Sequence, residues 1–215
     1  MTEQPRRWGR PDPMADPPSP SRLWNLPNAL TMLRLLLVPV FGYLLLVDSG
    51  QSERSRWLAA VVFVVASATD LADGAIARAR NLVTTFGKVA DPIADKALTG
   101  VALLGLSWLG ELPWWVTVVI LGREITITVT RFIVIRHGVI PASRGGKAKT
   151  VMQMLAILLY IIPVDGWVAD VRGWVMLVAV ALTVLTGIDY IVRAIHLRRN
   201  SERTAMKRAR RADGT

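Results

Sequence analysis

The stretch Asp70-Leu-Ala-Asp73-Gly74-Ala-Ile-Ala77-Arg78, resumed eight residues later at Gly87 and closed by Asp91 and Asp95, sets four carboxylates where two long apolar runs meet. Read as helix, positions 70, 73, 74, 77 and 78 follow the i, i+3, i+4 rule and line one face. Gly87, Asp91 and Asp95 do the same on the next helix. An ionised Asp at the centre of a bilayer costs about 2.5–3.5 kcal/mol on insertion scales, so four of them demand a neutralising partner. Sites made only of carboxylate oxygens suit hard divalent cations such as magnesium or manganese, which commonly work together with substrate phosphates. Gly74, Ala77 and Gly87 keep side-chain bulk away from the acids, and Arg78 offers a planar cation suited to phosphate. A salt bridge to a neighbouring helix would account for one such Asp, but not for four at this spacing.

Outward from this string, apolar runs lie near 29–47, 57–78, 88–109, 113–136, 149–164 and 173–196, each close to the roughly 20 residues that a helical crossing requires. The expectation is an all-α, multi-pass membrane protein with six transmembrane helices. With 52% hydrophobic residues in 215, the chain has too many long apolar runs for one soluble core. It has no cysteine, which excludes disulfides, thiolate metal sites and cysteine nucleophiles. The net charge of +10 would suit nucleic acid, but the basic residues sit between and beyond the apolar runs, where anionic lipid headgroups lie. No nucleic-acid partner is expected. Trp57, Trp108, Trp114, Trp115, Trp167 and Trp174 fall near run ends on one side, as an interfacial belt does.

Lysines and arginines at the run ends and beyond them divide 19 against three between the two sides, the three being Arg54, Arg56 and Arg172. Cytoplasmic segments carry such an excess, so both termini and the four aspartates are expected at the cytoplasmic face of the cell membrane. Residues 1–22 hold six prolines and no apolar run, and are expected to be a disordered tail. The membrane domain is read as 23–197 and a basic cytoplasmic tail as 198–215.

The string matches D-x2-D-G-x2-A-R-x8-G-x3-D-x3-D at every fixed position and so resembles the signature of the CDP-alcohol phosphatidyltransferases. The resemblance implies a six-helix membrane enzyme, usually a homodimer, that uses Mg2+ or Mn2+ and takes CDP-diacylglycerol as donor. It implies Asp70, Asp73, Asp91 and Asp95 as metal ligands, with Asp95 also the general base. Asp73, Gly74, Arg78 and Gly87 would contact the CDP donor.

Further along, Arg123 and Glu124 stand inside the fourth run, where bare charge is expensive, and Gly145-Gly146-Lys147-Ala-Lys149-Thr150 opens the fifth. Arg123, Lys147 and Lys149 together suggest a second phosphate site and hence a phosphorylated acceptor. Pairing of Arg123 with a neighbouring helix, and a plain topological role for the lysines, stay open on these residues alone. Four phrases, Asn25–Arg34, Asp91–Lys96, Arg123–Thr128 and Gly146–Thr150, look like those of bacterial family members that use glycerol 3-phosphate. The resemblance therefore implies glycerol 3-phosphate as acceptor, with inositol phosphate or phosphatidylglycerol as alternatives. A cation transporter is the alternative of another class; it accounts for the acids but not for Gly74, Arg78 or the spacing.

The charge division predicts labelling in this cysteine-free chain. A cysteine at Ser143 should react with a membrane-impermeant thiol reagent only after the cytoplasmic side is opened, and one at Ser52 should react from outside; the reverse pattern contradicts the orientation.

Overall fold

The computed structural model describes the backbone of residues 26–80, 85–134, 144–164 and 166–212; the side chains of 26–28, 70–80, 85–92, 95, 132, 134, 144 and 198–212 stay outside the description. The described residues form six α-helices and no strand: α1 Leu26–Leu46, α2 Glu53–Arg80, α3 Thr85–Trp108, α4 Trp114–Val134, α5 Arg144–Ile161 and α6 Trp167–Ala212. Each apolar run has become a helix, the conformation in which a segment deprived of water satisfies its own backbone groups. The expected tail at 1–22 lies outside the described residues.

The helices overrun the apolar stretches. α2 starts at Glu53 rather than near 57, α5 at Arg144 rather than near 149, and α6 runs from Trp167 to Ala212 rather than over 173–196. Apolar content marks what can be buried, whereas a helical backbone continues wherever its i→i−4 ladder is kept. Arg54, Arg56 and Arg172, expected in connections, consequently sit in the first turns of α2 and α6. α6 has 46 residues; at about 1.5 Å per residue it is roughly 69 Å long, more than twice a hydrocarbon core of about 30 Å. By length and composition, the stretches Ala29–Gly50 and Trp167–Leu197 are apolar enough to cross a membrane, and Lys96–Trp108 forms a shorter apolar segment.

The exterior of the bundle is apolar, unlike that of a water-soluble bundle, and several polar side chains are buried inside. Leu36, Tyr43, Val61, Val118, Ile125, Val151 and Leu185 point outward and are exposed, while Thr31, Arg34, Ser107, Thr117, Lys149, Gln153 and Thr183 are buried. Such a continuous apolar exterior suits lipid rather than water. Inside, Phe41 of α1 packs on Phe63 of α2 with ring centroids 5.6 Å apart, and Leu103, Leu106, Ile120 and Ile157 complete a core shared by α3, α4 and α5.

One end of the bundle is tied by Arg56. Its guanidinium donates to both carboxylate oxygens of Glu111, at 2.5 and 2.7 Å, and to the main-chain carbonyls of Tyr160 and Ile161, at 2.6 and 2.8 Å. Tyr160 and Ile161 end α5, so the arginine also satisfies carbonyls that the helix itself leaves open. Arg172, in the first turns of α6, lies 4.9 Å from the centroid of the Tyr160 ring. The α1–α2 turn reaches the same place through Asp48, Ser49 and Gly50, whose φ angles are 51°, 54° and 72°. A Cβ at Gly50 would stand 2.8 Å from Leu109 Cδ1, so both the left-handed backbone and the close approach require glycine there. These contacts collect the ends of α1, α3 and α5 with the beginnings of α2, α4 and α6, and successive helices therefore alternate in direction. The six tryptophans named above are exposed at this end or one to two turns from it. Positions 70–80 of α2 and 85–95 of α3 lead to the opposite end.

Arg56→Ala would strand the Glu111 carboxylate and two helix-end carbonyls, and breaking a buried pair in this way costs about 3–5 kcal/mol. The unfolding midpoint in detergent micelles should fall accordingly; an unchanged midpoint contradicts the role given to Arg56.

Candidate functional site

Toward the other end, α3, α4, α5 and α6 leave a cavity of about 190 Å3, lined by Lys96, Thr99, Arg123, Glu124, Arg131, Lys149, Gln153, Thr186 and Tyr190 among others. Its centre is Glu124. One oxygen of that carboxylate accepts from Lys149 Nζ at 2.5 Å and from Arg123 Nη1 at 2.9 Å. Arg123 also donates through Nη2 to Thr186 Oγ1 on α6 at 3.2 Å, and Lys96 of α3 donates to Thr128 Oγ1 of α4. Thr128 donates in turn to the Glu124 carbonyl at 2.7 Å. Four helices thus meet through side chains at one depth.

Among the described residues of the lining, Lys96, Arg123, Arg131 and Lys149 stand against one carboxylate, Glu124, and the Lys149 side chain is 7% exposed. A small polar cavity with surplus positive charge in apolar surroundings is suited to a multiply charged anion, because low dielectric strengthens each contact. Arg123 can reach its place because Gly187 of α6 faces its stem: a Cβ there would stand 3.1 Å from Arg123 Cγ.

Of the residues singled out from sequence, Arg123 and Lys149 are brought together here, whereas Lys147 is exposed on α5 and does not line the cavity. Asp70, Asp73, Gly74 and Arg78 lie on α2, and Gly87, Asp91 and Asp95 on α3; their side chains are outside the described residues. α2 and α3 pack on each other. Position 95 directly precedes Lys96 and lies one turn before Thr99, both of which line the cavity. Arg34 of α1 is fully buried and donates through Nε to the Ala66 carbonyl, one turn before position 70, at 3.2 Å. Among the described residues no group of three acidic or histidine side chains comes together. The donor chemistry of the aspartate string, i, i+3 on α2 and i, i+4 on α3, fits a hard divalent cation.

Thr186, Gly187 and Tyr190 carry no signal of a site in the sequence, and Lys96 enters only within the phrase Asp91–Lys96; in the structure Lys96, Gln153, Thr186 and Tyr190 line the cavity. A signal was available for Gln153, a lone amide four residues beyond Lys149 in an otherwise apolar segment. For Gly187 there was none, since its importance is set by the helix that faces it. Asp189 pairs with Arg193 on the exposed side of α6.

The chain belongs to the CDP-alcohol phosphatidyltransferase family, whose sequence model matches residues 24–185; it is accordingly a transferase. Within that family it is similar to a probable phosphatidylglycerophosphate synthase of Mycobacterium tuberculosis, 51% identical over 81% of this chain and 84% of the relative. It also resembles the CDP-diacylglycerol–glycerol-3-phosphate 3-phosphatidyltransferase of Bacillus subtilis, at 38% identity over 78% of this chain and 94% of the relative. A CMP-forming cardiolipin synthase of Streptomyces coelicolor is 36% identical over 71% of this chain and 74% of its own length.

Gly187→Val would push Arg123 from its place, and overpacking of this kind costs about 1–3 kcal/mol. The value of kcat/KM for the acceptor should fall about tenfold or more with little change for the donor; equal losses for both would show that Gly187 serves packing alone.

Proposed function

We propose that this chain is a six-span enzyme of the cell membrane that transfers the phosphatidyl group of CDP-diacylglycerol to sn-glycerol 3-phosphate, giving phosphatidylglycerophosphate and CMP. Its active site would face the cytoplasm, with 23–197 as the membrane domain flanked by the tails 1–22 and 198–215, and it would act as a homodimer. The observation that carries this reading is the cavity beside position 95, whose described lining holds four cations and one carboxylate, in a chain similar over most of its length to a relative named for glycerol 3-phosphate.

The chemistry follows from the residues. Asp70, Asp73, Asp91 and Asp95 would hold Mg2+ or Mn2+, which supplies charge neutralisation at the pyrophosphate and at the departing CMP. Asp73, Gly74, Arg78 and Gly87 would hold the CDP moiety, the two glycines allowing close approach. Arg123 and Lys149 would hold the acceptor phosphate, and exposed Lys147 would add positive charge from the same helix. The acceptor's terminal hydroxyl then forms a bond to the phosphorus carrying diacylglycerol while the bond to the CMP oxygen breaks, and Asp95 takes the hydroxyl proton. Glu124, already shared by two cations, would keep them in place before the phosphate arrives.

A second reading, phosphatidylglycerol as acceptor, draws on the similarity to cardiolipin synthase.

Purified protein should be given CDP-diacylglycerol with glycerol 3-phosphate, inositol phosphate or phosphatidylglycerol in parallel, and both CMP and the lipid product measured. The expected result is phosphatidylglycerophosphate, abolished by chelator and restored by magnesium or manganese. Product from another acceptor and none from glycerol 3-phosphate overturns the acceptor; no CMP from any of them overturns the transfer chemistry.

A further inference from the structure

Gln153 lies on α5 one turn beyond Lys149 and lines the same cavity. It is 5% exposed, and its Oε1 is fully buried and accepts no hydrogen bond. Buried polar groups without partners are rare in folded proteins, and those that occur ask for an explanation such as an absent ligand. The cations beside it have partners, Lys149 and Arg123 in Glu124 and Lys96 in Thr128, and the buried donor that Arg123 keeps open, Nε, is a cationic N–H suited to phosphate oxygen. Gln153 therefore differs in kind from the groups suited to a phosphate.

The chemistry of an amide defines what it would recognise. Phosphate dianion oxygens only accept, and the lysines and arginines supply their donors. A primary amide both donates and accepts, so its best complement is a hydroxyl, which does the same. Residues i and i+4 of a helix have Cβ atoms about 5–6 Å apart, so Lys149 and Gln153 face neighbouring positions on one short ligand. An acceptor with a phosphate at one end, an attacking hydroxyl at the other and a second hydroxyl between them fits this row. We infer that Gln153 is a specificity-determining residue that binds the non-reacting secondary hydroxyl of the phosphorylated acceptor. The inference rests on the acceptor reading given above and extends it to a group that the phosphate site does not touch. It also bears on why the cavity admits a polyol phosphate in preference to a simple alkyl phosphate: rejecting an analogue that lacks the hydroxyl is the strong direction of discrimination, because the amide is then left unpaired.

The test compares glycerol 3-phosphate with 3-hydroxypropyl phosphate, which keeps the phosphate and the terminal hydroxyl and lacks the secondary one. Wild-type protein should favour glycerol 3-phosphate by about tenfold or more in kcat/KM, a factor equal to about 1.4 kcal/mol. In Gln153→Met, similar in length and without hydrogen-bonding groups, that preference should collapse toward one through loss on glycerol 3-phosphate, while 3-hydroxypropyl phosphate and the KM for CDP-diacylglycerol are retained. An unchanged preference, or equal losses on both acceptors, overturns the role of Gln153 and leaves the acceptor assignment standing. Where Gln153→Met does not fold, the wild-type ratio decides, and a ratio near one overturns the inference. No product from glycerol 3-phosphate in the wild type overturns the acceptor reading and this inference together.

Discussion

A single carboxylate oxygen of Glu124 accepts hydrogen bonds from two cations on two helices, Arg123 beside it on α4 and Lys149 on α5. The polar half of the molecule is arranged around that meeting. Arg123 extends the link to Thr186 of α6, and Lys96 of α3 joins through Thr128. None of these groups would be tolerable alone in apolar surroundings, because the cost of a bare buried charge exceeds what packing returns. Together they offset one another, and among the described lining residues the cations outnumber the carboxylates, an arrangement suited to an anion.

Much of the architecture was legible because lipid-facing helices announce themselves by composition. Six apolar runs became six helices, and the side of the tryptophans agrees with where the helix ends collect. The bounds were less legible. Hydropathy reports where a helix can be buried, not where its backbone stops, so Glu53–Arg56 and the last turns of α6 were assigned to connections and a tail although their backbone is helical. Arg56 illustrates the physical reason: its charge reads as a water-side residue until Glu111 and the end of α5, both distant in sequence, are seen to neutralise and engage it.

The site was legible to the extent that its residues are anomalous where they stand. Arg123 and Lys149 drew notice as charges within or beside apolar helices, and both line the cavity. Lys147 drew the same notice by adjacency, but two residues on a helix is about 200° of rotation, and it faces away from the lining. Gln153, Thr186 and Gly187 are ordinary residues for apolar helices and gain meaning only from what α4 and α6 bring opposite them. The family string could be read from its spacing, and the helical backbone at α2 and α3 is compatible with the faces that spacing defines.

The Arg56 clamp has a consequence for biosynthesis. Its carboxylate partner lies 55 residues further along and its last carbonyl partner 105, so when α2 leaves the ribosome neither exists. On the proposed topology the guanidinium must wait in water on the far side of the bilayer, and it is captured only when the end of α5 arrives. An arginine that waits hydrated resists sliding back through the hydrocarbon, so the same side chain that later fastens the bundle would first act as a ratchet on the insertion of its second helix.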